Sequence, residues 1–401
     1  MAEPIADETA GSAGVAKRTE AVSPRAQARV NVAAIERNCA RLLTELRGGA
    51  QLCAVVKADG YGHGAVQSAR AALAGGASWL AVAGAREASE LRDAGLTDVR
   101  VLVMGTLTHA ELEEALAARA DVVAWDEAFI EAVAAAGGGG VHVKLDSGMG
   151  RLGTRDPVEA SRVADAANDA PEIQLVGAMT HFATADDLKD DGFFARQLAA
   201  FAGWARVLKE RYPHLLVHAA NSAAMLRDAE AQFDMVRCGI AVYGMDPFGK
   251  DPAARALEPA LELSSYAAEV KGCGVGESAG YGRQFVAEHD TCIAVLPIGY
   301  GDGWRRGLSN NADVLIGGHR YPLVGTVSMD SITVDLGIDA AEGLRGERAI
   351  LIGIQGSERI TAEEVARRLD TINYEVSCAL TPRVPRVYHR DGAAIDSGAR
   401  A

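Results

Sequence analysis

Paired cysteines are missing from this 401-residue chain. The six that occur, Cys39, Cys53, Cys238, Cys273, Cys292 and Cys378, form no Cys-x-x-Cys pair. That argues against structural zinc and a disulfide framework, so no metal site is expected and a reducing compartment is the simpler setting. Positive charge is also short. Forty Lys and Arg against 54 Asp and Glu leave a formal net charge of -14, which speaks against nucleic acid or an anionic membrane surface as a partner. It does not exclude a small anion, for which one local cationic pocket suffices. No uncharged apolar run is long enough to span a bilayer, and the N-terminus lacks the apolar segment of a signal peptide. The expectation is a soluble cytoplasmic protein with no membrane contact.

Apolar residues are plentiful, at 49%, so a large core is within reach. The length suggests two domains, or a barrel with an addition. Residues 1–28 are rich in Ala, Glu, Ser and Pro without apolar periodicity and read as a disordered tail. Ile35, Leu42, Leu43 and Leu46 then mark an amphipathic helix over 33–46. Eight short apolar, mostly β-branched runs follow, at 52–57, 79–83, 100–104, 121–124, 141–145, 175–181, 215–219 and 235–242. Segments of helical length separate most of them, as at 65–74, 87–94, 110–118 and 190–211. Such alternation predicts a parallel sheet, and eight units predict a closed (β/α)8 TIM-like barrel over 29–255, with a doubly wound open sheet as the rival. The glycine run 137–140 reads as a surface loop. Beyond residue 256 the pattern becomes short alternating strands between Gly-containing turns, a mostly β domain over 256–391 with a tail at 392–401.

In a barrel of this kind, functional groups belong at the C-terminal ends of the strands. Lys57 ends the first run, Arg151 follows the fifth, His181 ends the sixth, Asn221 and Ser222 follow the seventh, and Arg237 lies in the eighth. Lys57 is the sharpest of these. A lone lysine there would more often snorkel to the rim. Burial, however, lowers a lysine pKa and frees the amine to react with a carbonyl.

The run Val56-Lys-Ala-Asp-Gly-Tyr-Gly-His-Gly64 resembles the cofactor-lysine motif of the alanine racemases. The similarity continues in order through Lys144-Leu-Asp-Ser-Gly-Met-Gly-Arg-Leu-Gly153, Thr180-His-Phe-Ala183, Ala220-Asn-Ser222 and Val236-Arg-Cys-Gly-Ile-Ala-Val-Tyr-Gly244. It extends through Gly280-Tyr-Gly-Arg283, Ile298-Gly-Tyr-Gly-Asp-Gly-Trp304, Val327-Ser-Met-Asp330, Asn373-Tyr-Glu-Val376 and Pro382-Arg-Val-Pro-Arg386. The resemblance implies pyridoxal 5'-phosphate held by Lys57. It implies phosphate contacts from Tyr61, Ser222, Tyr374 and the main chain of Gly239 and Ile240, with Asn221 beside them. Arg237 would face the pyridine nitrogen, supported by His181. An arginine only donates there, so the ring nitrogen stays unprotonated and side reactions are limited. Arg151 would lie near the phenolic oxygen and the substrate carboxylate, and Lys144 matches a lysine that is carbamylated in some relatives.

Exchange of a proton on both faces of Cα calls for two acid/base groups. The resemblance makes them Lys57 and Tyr281, the latter from the second subunit of a head-to-tail homodimer that also brings the main chain of Met329. Tyr300, Arg306, Asp330 and Ile372 match the access channel. The implied activity is interconversion of L- and D-alanine, supplying peptidoglycan synthesis. The rivals are a racemase of broader specificity for serine or basic amino acids, a basic amino-acid decarboxylase, which Arg237 opposes, and a non-catalytic pyridoxal-phosphate carrier. Phe285 and Met245 are candidates to reshape the pocket.

Overall fold

The structure is a computed structural model that describes residues 24–338 and 343–395. All eight β-branched runs contain strands. After β1 (Gln27–Asn31) and helix α1 (Val32–Leu43) come β2 (Gln51–Val55), β3 (Trp79–Val82), β4 (Arg100–Val103), β5 (Asp121–Ala124), β6 (Gly139–Lys144), β7 (Ile173–Met179), β8 (Leu216–His218) and β9 (Met235–Cys238). Strands β2 to β9 pair in chain order, all parallel, and β9 closes on β2 from Gln51 opposite Met235 to Ala54 opposite Cys238. The expected (β/α)8 barrel is therefore the observed one, and the open sheet is excluded.

The mostly β second domain is also present. Its strands are β10 (Leu261–Tyr266), β11 (Glu269–Cys273), β12 (Ser278–Ala279), β13 (Phe285–Val286), β14 (Thr291–Leu296), β15 (Asp313–Ile316), β16 (His319–Val324), β17 (Ile332–Asp335), β18 (Arg348–Gln355), β19 (Glu358–Ile360), β20 (Arg386–Arg390) and β21 (Ala393–Ala394). All but the β12–β13 hairpin join one sheet, and β1 lies in it between β10 and β20.

Four local expectations are corrected. Of the tail expected over 1–28, residues 1–23 lie outside the described residues, and the rest is no tail: Ala26, just before β1, and Ala28 and Val30, within it, alternate into the core. That period of two over five residues was masked by the polar run before it. The barrel unit thus shares its first residues with the second domain's sheet. At the other end, Ala393–Ala394 pair with His389 and Arg390, while 396–401 lie outside the described residues. The glycine run is only partly a loop, because Gly139 and Gly140 already pair with β7. Finally, the first and last barrel runs are shorter than expected. One stops at Val55, before Lys57, and the other at Cys238, before a 3-10 turn at Ile240–Tyr243. Apolar residues continue past each strand because Val56, in one place, and the 3-10 turn, in the other, are themselves buried.

Candidate active site

Lys57 opens a turn of unusual hand. Ala58, Asp59, Gly60 and Tyr61 all have φ between 52° and 60°, the left-handed region that costs an L-residue roughly 1–2 kcal/mol each. Tertiary contacts hold the turn. Glu87 accepts from the Ala58 amide at 2.7 Å. Asp59 accepts from the Ala65 amide at 3.0 Å. Arg386, from the second domain, donates to the Gly62 carbonyl at 3.0 Å. Strain of this kind, held from outside, is typical of a functional site. Burial, reinforced by the Arg151 cation, holds the Lys57 amine below its ordinary pKa.

The turn forms one wall of a cavity of about 610 Å³ at the C-terminal mouth of the barrel. Lys57, Tyr61, Lys144, Arg151, His181, Asn221, Ser222, Arg237, Gly239, Ile240 and Tyr374 all line it. Every barrel residue that the resemblance assigns to the cofactor is there, with Tyr374 arriving from the second domain. Four of these are cationic side chains, and among the described residues no Asp or Glu lines the cavity. In a chain of net charge -14, that is a pocket built for an anion.

One end suits a phosphate. Asn221 caps the helix Ser222–Arg227 by accepting from the Ala224 amide, so it, and not Ser222, is the N-cap. Ser222 instead turns toward β9, where its Oγ accepts from the amides of Gly239 and Ala241. The Ile240 N–H opens the 3-10 turn, where no intrahelical carbonyl reaches it. A Cβ on Gly239 would lie 2.2 Å from the Tyr61 hydroxyl, so only glycine lets that phenol approach the turn. Burial raises the pKa of both Tyr61 and Tyr374, keeping them protonated and able to donate.

Arg237 lies deeper. Its guanidinium donates to His218 Nδ1 at 2.7 Å, to the Thr180 carbonyl at 2.7 Å and to the Ala219 carbonyl at 3.0 Å, with His181 Nδ1 at 3.3 Å. Burial brings its pKa down to about 10, so it remains a cation at neutral pH. Burial, then the charge of Arg237, pushes His181 well below the usual imidazole range, leaving a neutral acceptor. Asp234, the carboxylate that could have claimed Arg237, pairs with Lys209 instead. Burial, with Arg237 and Arg151 beside it, lowers the Lys144 amine to about 8.

Against this geometry stand the comparisons. Residues 30–247 match the model of the alanine racemase N-terminal domain, and residues 260–388 that of the C-terminal domain. The chain belongs to the alanine racemase family. It is 40% identical over 375 residues to the alanine racemase of Halalkalibacterium halodurans, covering 91% of this chain and 95% of that one. With the Geobacillus stearothermophilus alanine racemase it shares 40% over 372 residues, 90% of this chain and 93% of that one. The solved alanine racemase of Streptomyces coelicolor superposes with a TM-score of 0.85 at 36% identity, over 91% of this chain and 98% of that one. The Bacillus anthracis alanine racemase with bound L-Ala-P gives 0.85 at 35%, over 93% and 97%.

Within this alanine racemase fold, one group of expected residues stays outside the cavity. Tyr281, Met329, Tyr300, Arg306, Asp330 and Ile372 do not line it. Tyr281 is 74% exposed, on a backbone fixed by a bond from Thr326 Oγ1 to its carbonyl at 2.7 Å. Asp330 pairs with Arg383 at 2.5 Å. Phe285 packs under the β12–β13 hairpin with Ala287, Ile293 and Val324, and Met245 lines a separate cavity between the domains, so neither shapes the pocket of this chain. Sequence reading missed His218, which bonds Arg237 more closely than His181 does. The signal lay in strand parity: His218 follows a buried Val217 in β8, on the alternate face.

Proposed function

We propose that this chain is a pyridoxal-phosphate-dependent racemase interconverting L- and D-alanine, acting in the cytoplasm to supply D-alanine for peptidoglycan. The observation that carries the reading is the cavity around Lys57, with its four cations and, among the described residues, no carboxylate. The residues fit the cofactor. Tyr61, Ser222, Tyr374 and the Ile240 amide offer neutral donors to a phosphate at one end, with Asn221 setting the turn they share. Arg237 offers a donor to a ring nitrogen, and Lys57 offers an amine that is neutral more readily than a surface lysine. Bound, the cofactor supplies an electron sink for charge developing at Cα.

The protein's own share is orientation and proton movement. Arg151 attracts the substrate carboxylate. Lys57 takes or returns the proton on one face of Cα. The other face needs a second base, and Tyr281, which the resemblance gives that role, does not line this chain's own cavity. A head-to-tail homodimer, with Tyr281 of the partner subunit and the main chain of Met329 entering the mouth, completes the site. Tyr300, Arg306, Asp330 and Ile372 then rim the channel by which the amino acid enters. The exposed apolar side chains Tyr281, Tyr300, Met329 and Ile372 support such an interface.

Purified protein is expected to be yellow, and borohydride should bleach the colour and fix the cofactor covalently at Lys57, read by peptide mass. A chain that stays colourless after loading, or a label on another lysine, overturns the reading. Chiral chromatography with each amino acid then separates an alanine enzyme from one of broader specificity.

A further inference from the structure

Behind the cavity, the barrel interior carries a line of polar side chains where branched aliphatics normally fill the layers. It starts at Arg237, which donates to His218 Nδ1 at 2.7 Å. His218 Nε2 lies 2.8 Å from His142 Nδ1. His142 Nε2 lies 3.4 Å from Asp121 Oδ2. Arg100 closes the line, donating to Asp121 through Nη2 at 2.9 Å and Nε at 3.1 Å. The groups come from β9, β8, β6, β5 and β4, so the line crosses most of the barrel.

The inventory of donors orients it. A guanidinium only donates, so His218 Nδ1 accepts and its one proton sits on Nε2. His142 Nδ1 must then accept, which puts its proton on Nε2, facing the carboxylate of Asp121. A carboxylate only accepts. Both ends therefore demand the same direction, and no position is frustrated. Both imidazoles are neutral, held low by burial with Arg237 adding to it at His218. Burial opposes ionisation of Asp121, but the bonds from His142 and Arg100 prevail and its pKa lies below the usual value.

The backbone is shaped around this line. A Cβ on Gly140 would fall 2.0 Å from Asp121 Oδ1, and one on Gly177 would fall 2.3 Å from His142 Nδ1. The β6–β7 register shifts between Val141 and His142, at the residue that must be aimed. Packing alone requires none of this, since an all-aliphatic layer would be cheaper than two buried imidazoles and a buried carboxylate.

We propose that Asp121 and His142 are positioning residues that act through His218 to fix Arg237, holding its guanidinium in one plane toward the cavity. The role rests on the assignment of Arg237 to the cofactor's ring nitrogen. Isotope labelling of histidine nitrogens in the cofactor-loaded enzyme reads each tautomer by magnetic resonance. His142 and His218 are both expected neutral with the proton on Nε2. In Asp121→Asn, Arg100 claims the amide oxygen and the amide N–H faces His142. Both imidazoles should then move their proton to Nδ1, opposing Arg237. The visible band of the holoenzyme should shift, and kcat should fall about tenfold with KM changed by less than about twofold. Asp121→Glu should restore the wild-type tautomers.

A wild-type His218 protonated on Nδ1, or an Asp121→Asn enzyme with its His218 tautomer and visible band unchanged, overturns the proposal. The wild-type measurement decides even if the variant does not fold. A colourless protein with the expected tautomers would sink the cofactor assignment and uphold the chain. A yellow protein with the opposite tautomers would sink the chain alone.

Discussion

At the scale of single residues, Lys144 is the cation whose charge is least secure. Burial and two guanidinium neighbours bring it to about 8 from an ordinary 10.5. In the unfolded chain the amine holds its proton through the window from 8 to 10.5, while the folded chain has released it. Stability should therefore rise with pH across that window and feel the full cost of a buried ammonium below it. A neutral amine is also the form that adds carbon dioxide. Incubation with bicarbonate should give a mass increase on Lys144 that grows as pH rises toward and past about 8 and disappears on acidification. A plain lysine at every pH, by intact mass under mild conditions, would remove the carbamate from consideration. The product would be an anion among cations, well placed to orient Arg151.

At the scale of elements, the sequence is most legible where one physical signal acts alone. The eight strands were readable because runs such as Val101-Leu-Val103 and Val122-Val123 are fully buried and short. The left-handed conformation of the turn that opens at Lys57 was not. Val56 and the residues around it look like strand, and nothing local marks Ala58 and Asp59 for the left-handed region. Glu87, Arg386 and the Asp59–Ala65 bond, all contacts of the folded state, help to hold that turn. His142 and His218 were hidden for a related reason: each is a polar residue on a buried strand, and closure of the barrel lines them up with Arg237. Glu87 joins two elements, accepting from the Ala83 amide at 2.6 Å with one oxygen and the Ala58 amide at 2.7 Å with the other. Glu87→Ala should cost about 1–2 kcal/mol in the denaturation midpoint. It should weaken cofactor retention on dialysis by more than that loss alone implies, because the turn carrying Lys57 relaxes. Stability lost with cofactor retention unchanged would show that the turn needs no such clamp.

At the scale of the whole molecule, the two proposed bases lie on surfaces that one chain does not bring together. Lys57 lies inside the barrel mouth, while Tyr281 projects from the second domain with most of its surface exposed. Exposure alone is ordinary. Here, though, the phenol sits on a backbone held by Thr326, next to a tight hairpin, which suits a group presented to a partner. If two chains pair head to tail, each site takes Lys57 from one and Tyr281 from the other. Lys57→Ala and Tyr281→Phe homodimers should then both lose racemisation. A hybrid dimer of one chain of each kind, isolated through two affinity tags, contains one site with both residues intact and one with neither. It should recover about half of the wild-type activity, as closed two-fold symmetry requires. If each chain instead used its own Tyr281, every site of the hybrid would lack one base and no activity would return. Recovery in the hybrid, set against two inactive parents, distinguishes a shared site from a self-contained one without any need to see the interface.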